Sequence, residues 1–160
     1  MIEHIDSTDL RILGALQRDG RMSNVALAEE VNLSPSPCLR RLKRLEDRGV
    51  IAGYRALLDR RRVGLGLTLY VGIKVAGHSD ELANALEAAF NEMEDVVAAH
   101  IVSGPAADFL VEVVVPDLQA YEQLLLKKLL TLPGVADVNS NFSLRTIKSS
   151  GPLPLGHLRR

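Results

Sequence analysis

Five basic side chains crowd into nine positions, Arg40, Arg41, Lys43, Arg44 and Arg48, against two acids, Glu46 and Asp47. Cations at this density suit the recognition of a polyanion. Arginine adds selectivity, because its fork donates to both acceptors of a guanine edge at once. Ser34 and Ser36 stand just before the run, where hydroxyls and the free amides of a helix start can bond phosphate. The candidate DNA contacts are therefore Ser34, Ser36, Pro37, Arg40, Arg41, Lys43 and Arg44, joined by Ser23 and Asn24 at the start of the preceding helix. A charge run alone can also be a solvated helix face. The elements around it decide between the two.

Asp6 reads as an N-cap with an acid, Asp9, three residues on, where the helix dipole favours negative charge. Leu10, Leu13 and Leu16 follow at helical spacing and Gly20 stops the helix. Ser23 caps a second helix, Asn24 to Val31, with Leu27, Ala28 and Val31 on one face. Asn32-Leu33-Ser34 is a short turn. Ser34 then caps a third helix whose first turn carries Pro35 and Pro37, where the missing amide costs nothing. Cys38, Leu42 and Leu45 form its buried stripe and Gly49 ends it. Three short helices with a three-residue turn before a basic third one make a helix-turn-helix.

The chain then changes character. Val50 to Leu58 reads as extended, and Arg60-Arg61-Arg62 with Gly64 and Gly66 marks a boundary that reads equally as phosphate contact or soluble linker. Leu67, Leu69, Val71, Ile73 and Val75 alternate with polar or small residues as a strand does. Leu82, Leu86, Phe90 and Met93 make a helical stripe. Val96–Val102 and Phe109–Val115 read as strands flanking the turn Ser103-Gly-Pro-Ala-Ala107. Pro116-Asp117 opens a helix with Leu118, Tyr121, Leu125 and Leu129 inward, and Val138, Phe142 and Leu144 lie on a last strand. The order β-α-β-β-α-β is the ferredoxin-like plan, an antiparallel sheet with both helices on one face. The other face would stand open and apolar, which predicts at least a dimer. The fold class is α+β. The domains are 1–52 (helix-turn-helix), 53–66 (linker strand and hinge), 67–148 (ferredoxin-like) and a tail, 149–160, read as mobile or as a subunit-contact arm.

Composition removes several function classes. Of 160 residues, 4% are aromatic and none is Trp, which argues against stacking single-stranded bases on aromatic platforms. Net charge is −1, but residues 1–62 carry 12 Lys/Arg against 9 Asp/Glu, and residues 63–160 carry 7 against 11. Any polyanion is thus handled by the first part. Cys38 is the only cysteine, so no internal disulfide or cysteine-based zinc site is expected. With no signal-like or membrane-spanning run, a cytoplasmic setting is expected. Histidines 4, 78, 100 and 157 stand at no metal-ligand spacing. No nucleophile elbow, P-loop or dinucleotide glycine pattern occurs, so no enzyme, cofactor or metal is expected.

The stretches Ile5–Leu13, Asp19-Gly-Arg21, Leu27-Ala28, Leu33–Ile51 and Gly53-Tyr54 closely resemble the leucine-responsive/asparagine (Lrp/AsnC, feast/famine) transcriptional regulators. Val102-Ser-Gly104, Asp108-Phe109, Val115–Leu118, Tyr121 and Leu132–Val135 continue the likeness, which spans about residues 3–148. The resemblance implies a winged-type helix-turn-helix, a linker strand and a βαββαβ regulatory domain governing amino-acid metabolism. It also implies homodimers assembling to octamers, and amino-acid effectors bound between dimers. On this resemblance the effector loop is Gly104, Pro105, Ala106 and Asp108, with free amides for an α-carboxylate and Asp108 for an α-ammonium. Here Asp108 stands four residues after Gly104, where the family pattern has three. Two other readings compete: an architectural protein that compacts DNA without an effector, and an amino-acid-binding regulatory subunit of an enzyme.

Overall fold

The computed structural model describes residues 5–149 and 151–158. His4 and the terminal arginines lie outside them. The chain divides into two compact units, one of Met1–Leu57 with Lys148–Arg160, the other of Leu58–Ile147.

The first unit holds α1 (Ser7–Arg18), α2 (Asn24–Glu30) and α3 (Pro35–Asp47). Asp6 accepts from the Thr8 and Asp9 amides while Asp9 accepts from the Asp6 amide, a reciprocal capping box worth about 1 kcal/mol. Ser23 caps α2 through Ala26 N, as its sequence position predicts. Ser34 has N-cap backbone geometry at α3, but its hydroxyl makes no capping bond. Asn32 turns the chain with φ 55°, a conformation asparagine tolerates better than most residues. Ile12, Leu13, Ala15, Leu27, Ala28, Val31, Cys38 and Leu45 form the core, with Leu42 only partly buried. Beyond α3 the amides of Val50 and Ile51 bond the Leu45 carbonyl and the chain doubles back beneath the helix.

No strand occurs among the described residues of this unit, and the linker strand expected within 53–66 is absent. A strand needs a neighbour to pair with, and no other segment among the described residues pairs there. The tail is also not a free arm. Gln17 Nε2 donates to the Leu153 carbonyl (3.3 Å), the Leu153 amide donates to Gln17 Oε1 (2.5 Å), and Leu155 packs on the helical core.

The second unit contains β1 (Leu67–Val75), α4 (Asp80–Glu92), β2 (Val96–Ile101), β3 (Phe109–Val115), α5 (Leu118–Lys127) and β4 (Val135–Phe142). The sheet order is β2-β3-β1-β4, every pair antiparallel, as the ferredoxin-like plan requires. Leu69, Val71, Ile73 and Val75 meet Phe109, Val111, Val113 and Val115 on the inner face, under Leu86, Phe90, Met93, Tyr121, Leu124 and Leu129. One inward assignment changes: Leu118, the first residue of α5, is exposed and Leu124 takes the inner position. The last strand ends at Phe142, so Leu144, expected on it, lies beyond it and is almost wholly exposed.

The outer face is not the bare apolar surface that alternation suggests. Register places Thr68, Tyr70 and Lys74 beside Glu112, Asp137, Asn139 and Asn141. Arg60, the first of the triple arginine, donates to Glu112 (2.7 Å) and Thr68 (3.3 Å), so it is a structural contact of the sheet. Among the described residues no helix is long and apolar enough to cross a membrane, and no cluster of three potential metal ligands exists.

Candidate nucleic-acid interface and effector cleft

Helix α3 turns two faces in two directions. Cys38 and Leu45 are buried in the core, while Ser36, Leu39, Arg40, Lys43, Arg44, Asp47 and Arg48 line a shallow exposed groove along the helix. Ser36, Arg40, Lys43 and Asp47 follow one another at intervals of three and four, a continuous stripe on the surface. Arg40 and Lys43 make no ion pair or hydrogen bond among the described residues. Their charge is available to a partner.

Arg41 and Arg44 differ from the sequence expectation. Arg41 Nη1 donates to Asp9 Oδ1 (2.9 Å) and Asp6 Oδ2 (2.5 Å), and Arg44 Nη2 donates to Asp9 Oδ2 (2.8 Å). Asp9 is the one charged side chain in the buried set, 1% exposed, and these two guanidiniums compensate it. Burial pushes the Asp6 carboxyl up, but the Asp9 amide and the Arg41 guanidinium outweigh it and hold the group below its ordinary value. Asp6 and Asp9 in turn raise Arg41 further. Both arginines are thus tied to α1 and help to fix the rotation of α3; Arg41 is turned away from the groove, whereas Arg44, 43% exposed, still lines it with one Nη on Asp9. A helical wheel carries the signal: Arg41 shares the inward side with Cys38 and Leu45 at spacings of three and four.

The remaining expected contacts divide similarly. Asn24 Nδ2 donates to the Pro35 carbonyl (2.9 Å), locking the turn between α2 and α3, and its Oδ1 is buried without a partner. The side chain clamps the turn. Ser23 spends its hydroxyl oxygen on the α2 cap. Ser34 and Ser36 are exposed and Pro37 is half-buried in the first turn of α3. Leu39, exposed at the centre of the stripe, was not among the expected contacts. Tyr54 donates to Glu46 (2.9 Å), and burial together with that carboxylate pushes its phenol up to about 12.

The second unit carries a separate cleft of about 430 Å³ between the start of α4 and the β2–β3 connection. Val75, Leu82, Ile101 and Phe109 give it an apolar wall, and His78, Ser79, Asp80, Gly104 and Asp108 give it polar groups. Pro105 and Ala106 are exposed and do not line it. Asp108 is already engaged: Oδ2 accepts from the Val75 amide (2.9 Å), and Oδ1 lies 3.2 Å from both Lys74 Nζ and His78 Nε2. The Val75 amide above all, opposed by desolvation and helped by Lys74 and His78, pulls its carboxyl down to about 2. The α-ammonium role expected for it is modified accordingly. Its partners in the structure are the Val75 amide, Lys74 and His78, of which His78 also lines the cleft. Sequence reasoning missed His78 and Ser79, which sit between β1 and α4, remote in sequence from the Gly104 turn.

Comparison with known proteins agrees with both halves. Residues 5–52 match the family "Winged helix-turn-helix DNA-binding" and residues 68–153 match "Lrp/AsnC ligand binding domain". The leucine-responsive regulatory protein of Salmonella typhimurium strain LT2 is 40% identical over 149 residues, covering 93% of this chain and 90% of that protein. The DNA-binding transcriptional activator DecR of Escherichia coli strain K12 is 40% identical over 151 residues, covering 94% and 99%. The structure of a Neisseria meningitidis transcriptional regulator in complex with L-Met superposes with a TM-score of 0.90 at 39% identity, covering 96% of this chain and 98% of that one. With a compact helix-turn-helix, a ferredoxin-like partner unit and matches over nearly its whole length, this chain belongs to the Lrp/AsnC family of DNA-binding transcriptional regulators.

Proposed function

We propose that this regulator senses an α-amino acid in the cleft between the start of α4 and the Gly104 turn, and that the ligand alters its hold on operator DNA near genes of amino-acid metabolism. The observation that carries this is the cleft's composition. One wall is apolar, and an imidazole, a hydroxyl and two carboxylates line the cleft beside it, a mixture that suits a zwitterion with an apolar side chain. His78 faces the ligand's carboxylate and Asp80 its ammonium, with Asp108 holding His78 in place. The related structure bound to L-Met supports a ligand of this class, so methionine and leucine are the first to test.

Leu57, Leu58, Ile101 and Ile147 are each about two-thirds exposed or more, and such side chains favour burial against another copy. The functional unit we propose is a homodimer that assembles further, towards an octamer. Each dimer places two α3 helices in successive major grooves about 34–36 Å apart on a roughly palindromic site.

The test is a thermal-shift and calorimetric screen of the full chain against the twenty amino acids, repeated with Asp80→Asn. A ligand that binds only the folded state raises apparent stability by mass action. The expected result is a rise with one or a few apolar amino acids, weakened by Asp80→Asn, and a ligand-dependent change in a footprint on upstream DNA. No shift with any of the twenty would refute the sensing role while leaving DNA binding intact.

A further inference from the structure

We propose that Leu39 is a specificity-determining residue that packs against the 5-methyl group of thymine, and that the reading set of α3 is Ser36, Leu39, Arg40 and Lys43. The inference rests on α3 being the helix that enters the major groove. It adds which bases that helix distinguishes, and how.

Two independent features lead there. The first is subtraction. Of the cations expected to read bases, Arg41 and Arg44 are bound to Asp9 on α1, and Arg41 to Asp6 as well. Turning either guanidinium fully towards a guanine edge withdraws a donor from Asp9, 1% exposed, and leaves that buried charge less well compensated. The pairs therefore resist opening.

The second is placement. Leu39 is 40% exposed, yet it is absent from the helical core and from the partly buried side chains packed on it. It lies three residues after Ser36, next to Arg40 and four before Lys43, within the same shallow groove. An isolated exposed leucine is ordinary on a protein surface. One flanked by the two unpaired cations of a recognition helix meets a surface that is chemically uneven. In the major groove only thymine presents an apolar group, its 5-methyl, and every other edge offers donors or acceptors. Leucine against a methyl gains by mutual desolvation. Leucine against a guanine or cytosine edge leaves polar groups without partners. The stripe thus reads as cations for phosphate and guanine on either side of a thymine-selective apolar contact.

The experiment uses the full-length protein and a pool of duplexes with a randomised centre, selected in parallel with wild type, Leu39→Ala and Arg44→Ala. The wild-type consensus is then synthesised with each thymine replaced singly by deoxyuridine, which removes only the methyl. At one or two thymines per half-site, wild type should lose about fourfold in affinity, the worth of one buried methyl-sized group. Leu39→Ala should bind thymine and uracil there equally and lose its preference at those positions. Its melting temperature should stay close to wild type, because the side chain is not one of the buried core residues. Arg44→Ala should select the same bases as wild type. Deoxyuridine tolerated at every position, or a methyl effect that survives in Leu39→Ala, overturns the assignment of Leu39. A consensus altered by Arg44→Ala overturns the subtraction. Failure of wild type to enrich any duplex would instead refute α3 as the DNA-binding element, which a thymine effect absent from good binding sites would not.

Discussion

Asp9→Asn is the perturbation that bears most directly on how α3 is held. The carboxylate is 1% exposed and joins three groups: Arg41 (2.9 Å), Arg44 (2.8 Å) and the Asp6 amide (3.3 Å). The amide is nearly isosteric but neutral, and it can turn only one acceptor oxygen to these donors. Removing one partner from a fully buried ion pair costs about 3–5 kcal/mol. Here the arginines keep 29% and 43% of their side-chain surface exposed, so water screens the stranded charge. A discount to about 2 kcal/mol follows. For a unit of this size that corresponds to a fall in Tm of roughly 8–15 °C. The chain has two compact units, so a single melting curve can mix two transitions. Scanning calorimetry should therefore be paired with amide exchange read by mass spectrometry in α1 and α3, where protection should drop while β1 and β3 stay unchanged. If exchange in α1 and α3 moves by less than about 0.5 kcal/mol, the ion pairs contribute nothing net. Arg41 and Arg44 would then be free to swing into a groove, and the reading set proposed for α3 would be wrong.

Three further outcomes follow from the same contacts. Lys43→Ala should lower the slope of log affinity against log salt by about 0.9, one phosphate's worth, whereas Arg41→Ala should lower Tm and leave the slope alone; equal slopes for the two would show that the Asp9 pairs open on DNA. Asp108 has a folded pKa of about 2, below its unfolded value near 3.9, so its stabilisation is complete above about pH 4 and lost as pH falls towards 2. Asp108→Asn should flatten that part of the acid-unfolding curve, and an unchanged curve counts against the Val75 and Lys74 contacts. Leu155→Ala should cost the helical unit about 1–2 kcal/mol, given its partial burial, and speed amide exchange in α1; exchange identical to wild type would mean the tail does not pack there.

Local chemistry was legible in the sequence where one residue type answers one backbone need. Asp6 and Ser23 had to be caps because the amides after them have no other partner, and Pro35 reads as a helix start for the same reason. Period-two alternation located β1 to the residue, because it is a central strand with one face on the core, and β3 also spans the Phe109–Val115 read for it. The strand pattern overran at Leu144, beyond the end of the edge strand β4, and the helical stripe failed at Leu118, whose place in the first turn of α5 leaves it exposed. Contacts between distant segments were not legible. Nothing in Gln17 indicates that it holds the backbone of Leu153, 136 residues later. The cleft shows the same limit. Gly104 and Asp108 could be named from the turn they flank, but His78 and Ser79 reach it only because β1 and β3 pair antiparallel and bring their ends together.

The internal pairing also bears on what kind of DNA-binding protein this is. A packager that coats DNA without regard to sequence relies on phosphate attraction, and its affinity scales with the number of cations it can release to the backbone. This chain has a net charge of −1, and its first 62 residues hold only three more cations than anions. Many of the individual cations are also held in internal pairs. Arg18 pairs with Glu30, Arg41 and Arg44 with Asp6 and Asp9, Arg60 with Glu112, and Arg62 with Asp59. On α3 the unpaired charge comes down to Arg40 and Lys43 beside an apolar Leu39, a surface poorer in phosphate contacts than in means of telling bases apart. A single head with two such cations gains little from counterion release at physiological salt. Two heads joined in the proposed dimer convert the second contact into an intramolecular one, and affinity then depends on both half-sites being present at the right spacing. Weak single contacts made strong only in register are what a site-specific regulator needs, and they would serve a general packager badly.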